Sequence, residues 1–267
     1  RFVVSNRTDD GASSPTAFAR MQAVIEAGDV PPSRAMDACT QAVVWYVKRR
    51  EIPAETFRWF ARHGAELSAQ AGVLTSGGLS AWYRGLAMVP AATGQPAGAR
   101  RYMEKALEAA EVAEQTNPGA DARNARKTYF ESTIKEHLYV TGDLDAALAA
   151  GLALVALDPV WSLSHGELAE VHERRGETEL AAERYEEAAR LGPPSVGHHL
   201  VRAARCRVAQ GQVDLALEHH LALLALDPSD PAIRRAALEV ADLVDGGAEL
   251  VAVATGPGPV LMGEQDW

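Results

Sequence analysis

Apolar residues along this chain recur at three- and four-residue spacing in segments of about 14 to 20 residues, the rhythm of helices that bury one face. Breakers separate the segments at Gly28, Pro31, Pro53, Gly72, Pro96, Pro118, Gly142, Pro159, Gly176, Pro193, Gly211 and Pro228. This punctuation predicts about twelve helices and no strand in the body of the chain. "AELVAVAT" (248–255) reads instead as a short strand or an extended tail.

The breakers keep a period. Gly142, Gly176 and Gly211 are 34 and 35 residues apart, as are Pro159, Pro193 and Pro228, and Ala147, Ala181 and Ala216 hold the same phase. A period near 34 built from two helices is the mark of a stacked repeat array. One helical hairpin cannot bury its apolar face alone, so neighbours must stack.

One unit reads His165, Leu168, Ala169 and His172 on a first helix, then Ala181, Tyr185, Ala188 and Pro193 on a second. The next reads Leu200, Ala203, Ala204, Arg207, Ala216, His220, Leu223 and Pro228; the one before reads Glu131, Ile134, Lys135, Leu138, Ala147, Gly151, Leu154 and Pro159. A diverged unit fits Tyr83, Leu86, Ala87, Pro90, Gly94, Ala99 and Met103. In this pattern of rings and small residues the chain resembles the tetratricopeptide repeat (TPR) family. The resemblance implies an all-α fold, a right-handed superhelical solenoid of antiparallel helix hairpins.

Small residues let two helices approach closely: Ala169 is expected to face Ala181, with Tyr185 filling the space toward the next repeat. Gly176 permits the turn between helices, and Pro193 stops the second helix. The organisation read from this is a flexible segment at 1–13, a helical N-terminal part at 14–79 (a degenerate repeat or a cap), repeats at 80–229, a capping helix at 230–247 and a tail at 248–267.

Composition narrows the function. A net charge of −10 argues against binding a phosphate backbone. The basic run Lys48, Arg49, Arg50 reads as a solvated helix end. No apolar run reaches the roughly 18 residues of a membrane span, and the opening "RFVVSNRTDDGASS" lacks the form of a signal peptide. It also lacks a methionine, so residues are expected before Arg1; the Asn6 triplet is a chance glycosylation match. Two distant cysteines, Cys39 and Cys206, read as buried free thiols in a cytoplasmic protein.

Candidate chemistry is thin. His165, His172 and His220 fall on ring positions of the repeat and read as packing; His198 and His199 begin a helix, and His219 is expected to face water. A metal pair from His198 and His220 is the alternative, and no metal or cofactor is expected. Lys135 stands where a small residue is usual, with Gly151 expected to make room for its stem and a catalytic amine as the rarer reading. The proline-rich "GPGP" at 256–259 cannot cradle phosphate, because proline has no N–H to donate. Met262 and Trp267 read as a free end or as anchors on a neighbour.

Rows of charge are more telling. Equivalent positions on successive first helices give Glu136, Glu170, Arg205 and Thr133, Glu167, Arg202, either an ion-pair ladder or a grip on an acidic ligand by Arg202 and Arg205 with His198. The resemblance implies a concave peptide groove lined by Arg84, Met88, Tyr129, Glu136, Tyr139, Leu163, Glu170, Glu173, His198, Arg202 and Arg205. The expected function is a non-catalytic scaffold or adaptor for a protein or peptide carrying an apolar anchor and an acidic group. The alternatives are a peptide-responsive sensor and an accessory subunit of a biosynthetic enzyme. Nucleic acid and membrane are not expected partners; a homo-oligomer is allowed.

Overall fold

The computed structural model describes residues 14–49 and 52–256, with side chains from Ala17 onward. The readings made for residues 1–13 (the Asn6 triplet among them), for Arg50 and for Met262 and Trp267 lie outside the described residues. Among the described residues there are thirteen α-helices, one π-helical turn and no strand. The chain divides into two compact units, Arg1–Asp143 and Leu144–Trp267.

The first unit holds α1 (Ser14–Glu26), α2 (Pro32–Arg49), α3 (Ala54–Ser68), α4 (Ser76–Ala92), α5 (Pro96–Thr116), α6 (Ala120–Glu136) and a π-helical turn, His137–Thr141. Helix α1 packs on α2, α2 on α3, α4 on α5 and α5 on α6; α1 also lies on α3, and α4 also lies on α2 and α6. Aromatic residues supply the core at the α1–α4 end. Phe18 sets its edge on Phe60 at 5.9 Å, and Met36, Cys39, Val43 and Trp82 close around them without solvent. Tyr46 and Phe57 stack at 4.0 Å beside this core. Trp82 fits because Gly64 faces it: a Cβ there would lie 2.5 Å from the indole. A second cluster, Ala87, Met103, Ala106 and Tyr129, joins α4, α5 and α6. Lys48 and Arg49 occupy the last turn of α2, where cations meet the negative helix end, and Arg49 also covers the Trp45 ring at 4.5 Å.

The second unit holds α7 (Leu144–Leu157), α8 (Ser162–Arg174), α9 (Thr178–Leu191), α10 (Val196–Ala209), α11 (Val213–Leu226), α12 (Pro231–Ala241) and α13 (Gly247–Thr255). Here each helix packs on the next, and α13 folds back on α11 as well. Ala169, Ala181, Ala182, Tyr185, Ala203 and Cys206 form one buried cluster across α8, α9 and α10, as the repeat pattern requires. Gly151 borders Leu168, whose Cδ1 would sit 3.0 Å from an added Cβ.

The turns repeat as closely as the cores. Gly94, Gly176 and Gly211 all have left-handed φ of 70–77°. After each, the next amide reaches five residues back: Gln95 to Pro90, Glu177 to His172 and Gln212 to Arg207, each at 2.9 Å. A carbonyl left open at the helix end is thereby satisfied, and glycine is favoured because it carries no Cβ. Gly142 has the same hand, with φ of 71°.

Two boundaries differ from expectation. The capping helix is Pro231–Ala241, started by Asp230, whose carboxylate accepts from the amides of Ala232 (2.7 Å) and Ile233 (3.3 Å). Residues 248–255, read as a strand or tail, belong to α13. Its Val251 is buried against α11 and α12, so tertiary burial overrides the β-branched local sequence.

Gly64→Ala should destabilise the first unit by about 1–3 kcal/mol, because the new methyl meets a ring that cannot retreat. Gly77→Ala, whose Cβ would have 3.8 Å to its nearest neighbour, should stay within about 1 kcal/mol of wild type. Urea unfolding followed by circular dichroism measures both.

Candidate functional site

The expected groove residues separate into two groups, one in each unit. In the first unit, most are committed to packing. Arg84 of α4 donates to the carbonyl of Thr128 and the hydroxyl of Ser132, both at 3.2 Å, and so ties α4 to α6. Burial pulls its pKa down, against the pull of Glu131. Tyr129 is buried with its ring edge on Phe130 at 5.6 Å, and Met88 is half-buried. Tyr139, on the π-helical turn, is 54% exposed. Of this group, only Tyr139 offers a large open side chain.

Glu136 is buried beside Arg100, 3.2 Å away as an ion pair without hydrogen-bond alignment, and neither carboxylate oxygen has a hydrogen-bond partner. Burial raises its pKa, Arg100 opposes the rise and Glu104 adds to it. His137 follows, within 3.3 Å of the same guanidinium and 3.2 Å from the Thr141 hydroxyl. Burial and Arg100 both lower its pKa.

The second unit holds three ionic networks, each joining three elements. Asp145 accepts from Arg175 at 2.5 Å; Arg175 also donates to Glu177 at 2.8 Å, and Glu177 meets His172 at 2.6 Å. Glu173 of α8 accepts from the Tyr185 hydroxyl of α9 at 3.0 Å and from Arg202 of α10, whose guanidinium lies 5.8 Å over the Tyr185 ring. Glu186 of α9 receives both prongs of Arg207 at 2.7 Å and meets His219 of α11 at 2.8 Å. Burial alone would raise the Glu186 pKa, but the hydrogen bonds from Arg207 and His219 lower it overall. His219, expected to face water, is thus half-buried against Glu186.

One contact recurs with its chemistry exchanged. His172 reaches Glu177, and Arg207 reaches Gln212 at 2.8 Å, the two pairs lying 35 residues apart. The repeat conserves the bridge from the end of a first helix to the start of its second helix, not the charge that makes it.

Within this unit the α8 and α10 groups come together. Leu163, Glu170 and Glu173 of α8 are half-buried, as is Arg202; His198 and Arg205 of α10 are exposed. Arg202 is already engaged by Glu173, so Arg205 and His198 are the open cationic and polar groups of that face. His199, next to His198, is buried. Its ring takes the space over Gly166, where a Cβ would be 2.4 Å from Cε1, and stacks toward Tyr185 at 6.2 Å. Neither ring nitrogen has a hydrogen-bond partner, and burial, with the His198 charge, lowers its pKa to about 4. His165, His172 and His220 are buried at their ring positions. No group of three or more His, Cys, Asp or Glu fit to hold a metal occurs among the described residues. No described helix is long and apolar enough to cross a membrane.

The stretch 164–196, which spans α8, α9 and the turn after them, matches the family model described as a tetratricopeptide repeat. Within that stretch the α8–α9 hairpin is similar to a tetratricopeptide repeat. No curated protein matches the chain. Repeats of this kind are generally protein-interaction surfaces and not catalysts.

His199 should make the second unit acid-sensitive. Its folded pKa lies below the unfolded value near 6.5, so the unfolded chain binds more protons between about pH 6.5 and 4, and stability falls as pH drops through that window. His199→Leu should flatten that part of the slope. Thermal melts at pH 7, 5.5 and 4.5 on both proteins measure the difference.

Proposed function

We propose that this chain is a non-catalytic scaffold and that the outward stripes of α8 and α10, from Leu163 and Glu170 to His198 and Arg205, meet a segment of a partner protein. The tetratricopeptide match over α8–α9 supports the protein-binding role. The observation that carries the choice of surface is the Tyr185–Glu173–Arg202 bridge. It fixes α8, α9 and α10 to one another before any partner arrives, so little ordering is left for binding to oppose.

The partner's charge follows from the distribution of charge along the chain. Residues 144–267 contain twenty Asp and Glu against nine Lys and Arg, whereas residues 1–143 contain sixteen against seventeen. The field of the second unit draws a basic segment. The acidic group expected from the arginine row keeps only a local role at Arg205, since Arg202 is neutralised by Glu173. Half-buried Leu163 and Val201, with Val208 at 38% exposure, supply the apolar contact.

The test is affinity capture on the immobilised chain, followed by titration of the captured protein. Binding should weaken at least about tenfold when salt rises from roughly 50 to 300 mM, and Glu170→Lys should weaken it while Arg205→Glu does not. Capture of no protein, or binding indifferent to salt and to Glu170→Lys, would sink this reading.

A further inference from the structure

A cleft of about 340 Å³ lies in the first unit, bordered by Gln22 of α1 and by Glu55, Thr56, Arg58, Trp59 and Arg62 of α3. Its floor is held firmly. The half-buried Trp59 ring is stacked on His63 at 5.0 Å and 14°, and meets Phe60 edge-on at 4.9 Å. Phe60 is itself solvent-free in the core against Phe18 of α1. The indole is therefore anchored through two rings to both helices that form the cleft.

Its rim is charged and uncompensated. Arg58 and Arg62 are exposed and stand one helical turn apart, a spacing at which like charges repel. Neither is in an ion pair among the described residues, whereas Arg84, Arg100, Arg126, Arg175, Arg202 and Arg207 each bridge to another element. Glu55, a turn before Arg58, faces the same cleft and brings two positive charges down to a net one. Gln22 is steadied by its amide's bond to Glu26 at 2.9 Å, and Thr56 adds a hydroxyl.

We infer that this cleft binds a small aromatic monocarboxylate. The carboxylate bridges the two guanidinium groups, each of which presents paired N–H donors suited to it. The flat body lies against Trp59, where ring contacts add to simple burial. The volume, near the lower end for ligand sites, fits one or two fused rings. Glu55 disfavours a dianion such as phosphate, and the arginines disfavour a cation of the same shape. The site is distinct from the α8–α10 surface and does not depend on it.

Isothermal titration of the full chain with indole-3-acetate tests the assignment, with tryptamine and inorganic phosphate as comparisons. Indole-3-acetate should bind saturably, and both comparison ligands at least about tenfold more weakly. Arg58→Gln and Arg62→Gln should each weaken it about fivefold or more, with helix content and melting temperature unchanged because both side chains are exposed. Glu55→Gln should tighten it and narrow the margin over phosphate. Absence of saturable binding, equal binding of tryptamine, or unchanged affinity in both arginine variants would overturn the proposal. Arg205→Glu, which alters the partner surface, should leave this titration as it is.

Discussion

Close approach of helices at alanine and glycine is the constraint on which the rest of this structure depends. Ala169, Ala181, Ala182 and Ala203 leave so little volume between α8, α9 and α10 that one ring, Tyr185, fills what remains. The same economy appears in the first unit, where Gly64 yields its side-chain space to Trp82. A core of this kind has little room for added atoms, because density is already that of a packed solid. It also explains how a chain with only 6% aromatic residues stays well packed: rings are spent at the few places where backbones part.

That closeness sets the polar chemistry as well. With helix backbones near one another, long side chains at the ends of first helices reach the neighbouring elements, and the second unit acquires its three ionic networks. Their value differs with depth. The Arg175–Asp145 pair is open to water and contributes little. Arg207 is 8% exposed, and removal of Glu186 would leave it buried without its carboxylate, so breaking that pair costs far more than breaking the open one.

The repeat was readable because its determinants are local. Gly176 and Gly211 show in the sequence as breakers and in the structure as left-handed turns closing the same bond five residues back. Helix α13 was misread because "AELVAVAT" is rich in β-branched residues, and only contact with α11 and α12 makes it helical. The groove was read less well. A repeat offset places Arg84 and Tyr129 on first-helix faces, but burial depends on what α6 and α5 put against those faces, which no offset encodes. The Tyr185–Glu173–Arg202 bridge was equally hidden, since it needs three side chains from three helices to choose matching rotamers. The rows of charge that include Arg202 were one sign of such bridges, and the 35-residue echo of Glu177 by Gln212 was another.

Each unit buries a single thiol. Cys39 sits solvent-free among Met36, Val43 and Phe60, and its pKa is pushed up to about 12; Cys206 lies 4% exposed beside Tyr185, also raised by burial. Thiolate is the reactive form, so neither sulfur reacts while its surroundings stay closed. The two cysteines are native labelling clocks: the rate at which each is alkylated reports how often its own half of the molecule opens, and peptide mapping of the adducts tells whether the halves come apart together or in turn.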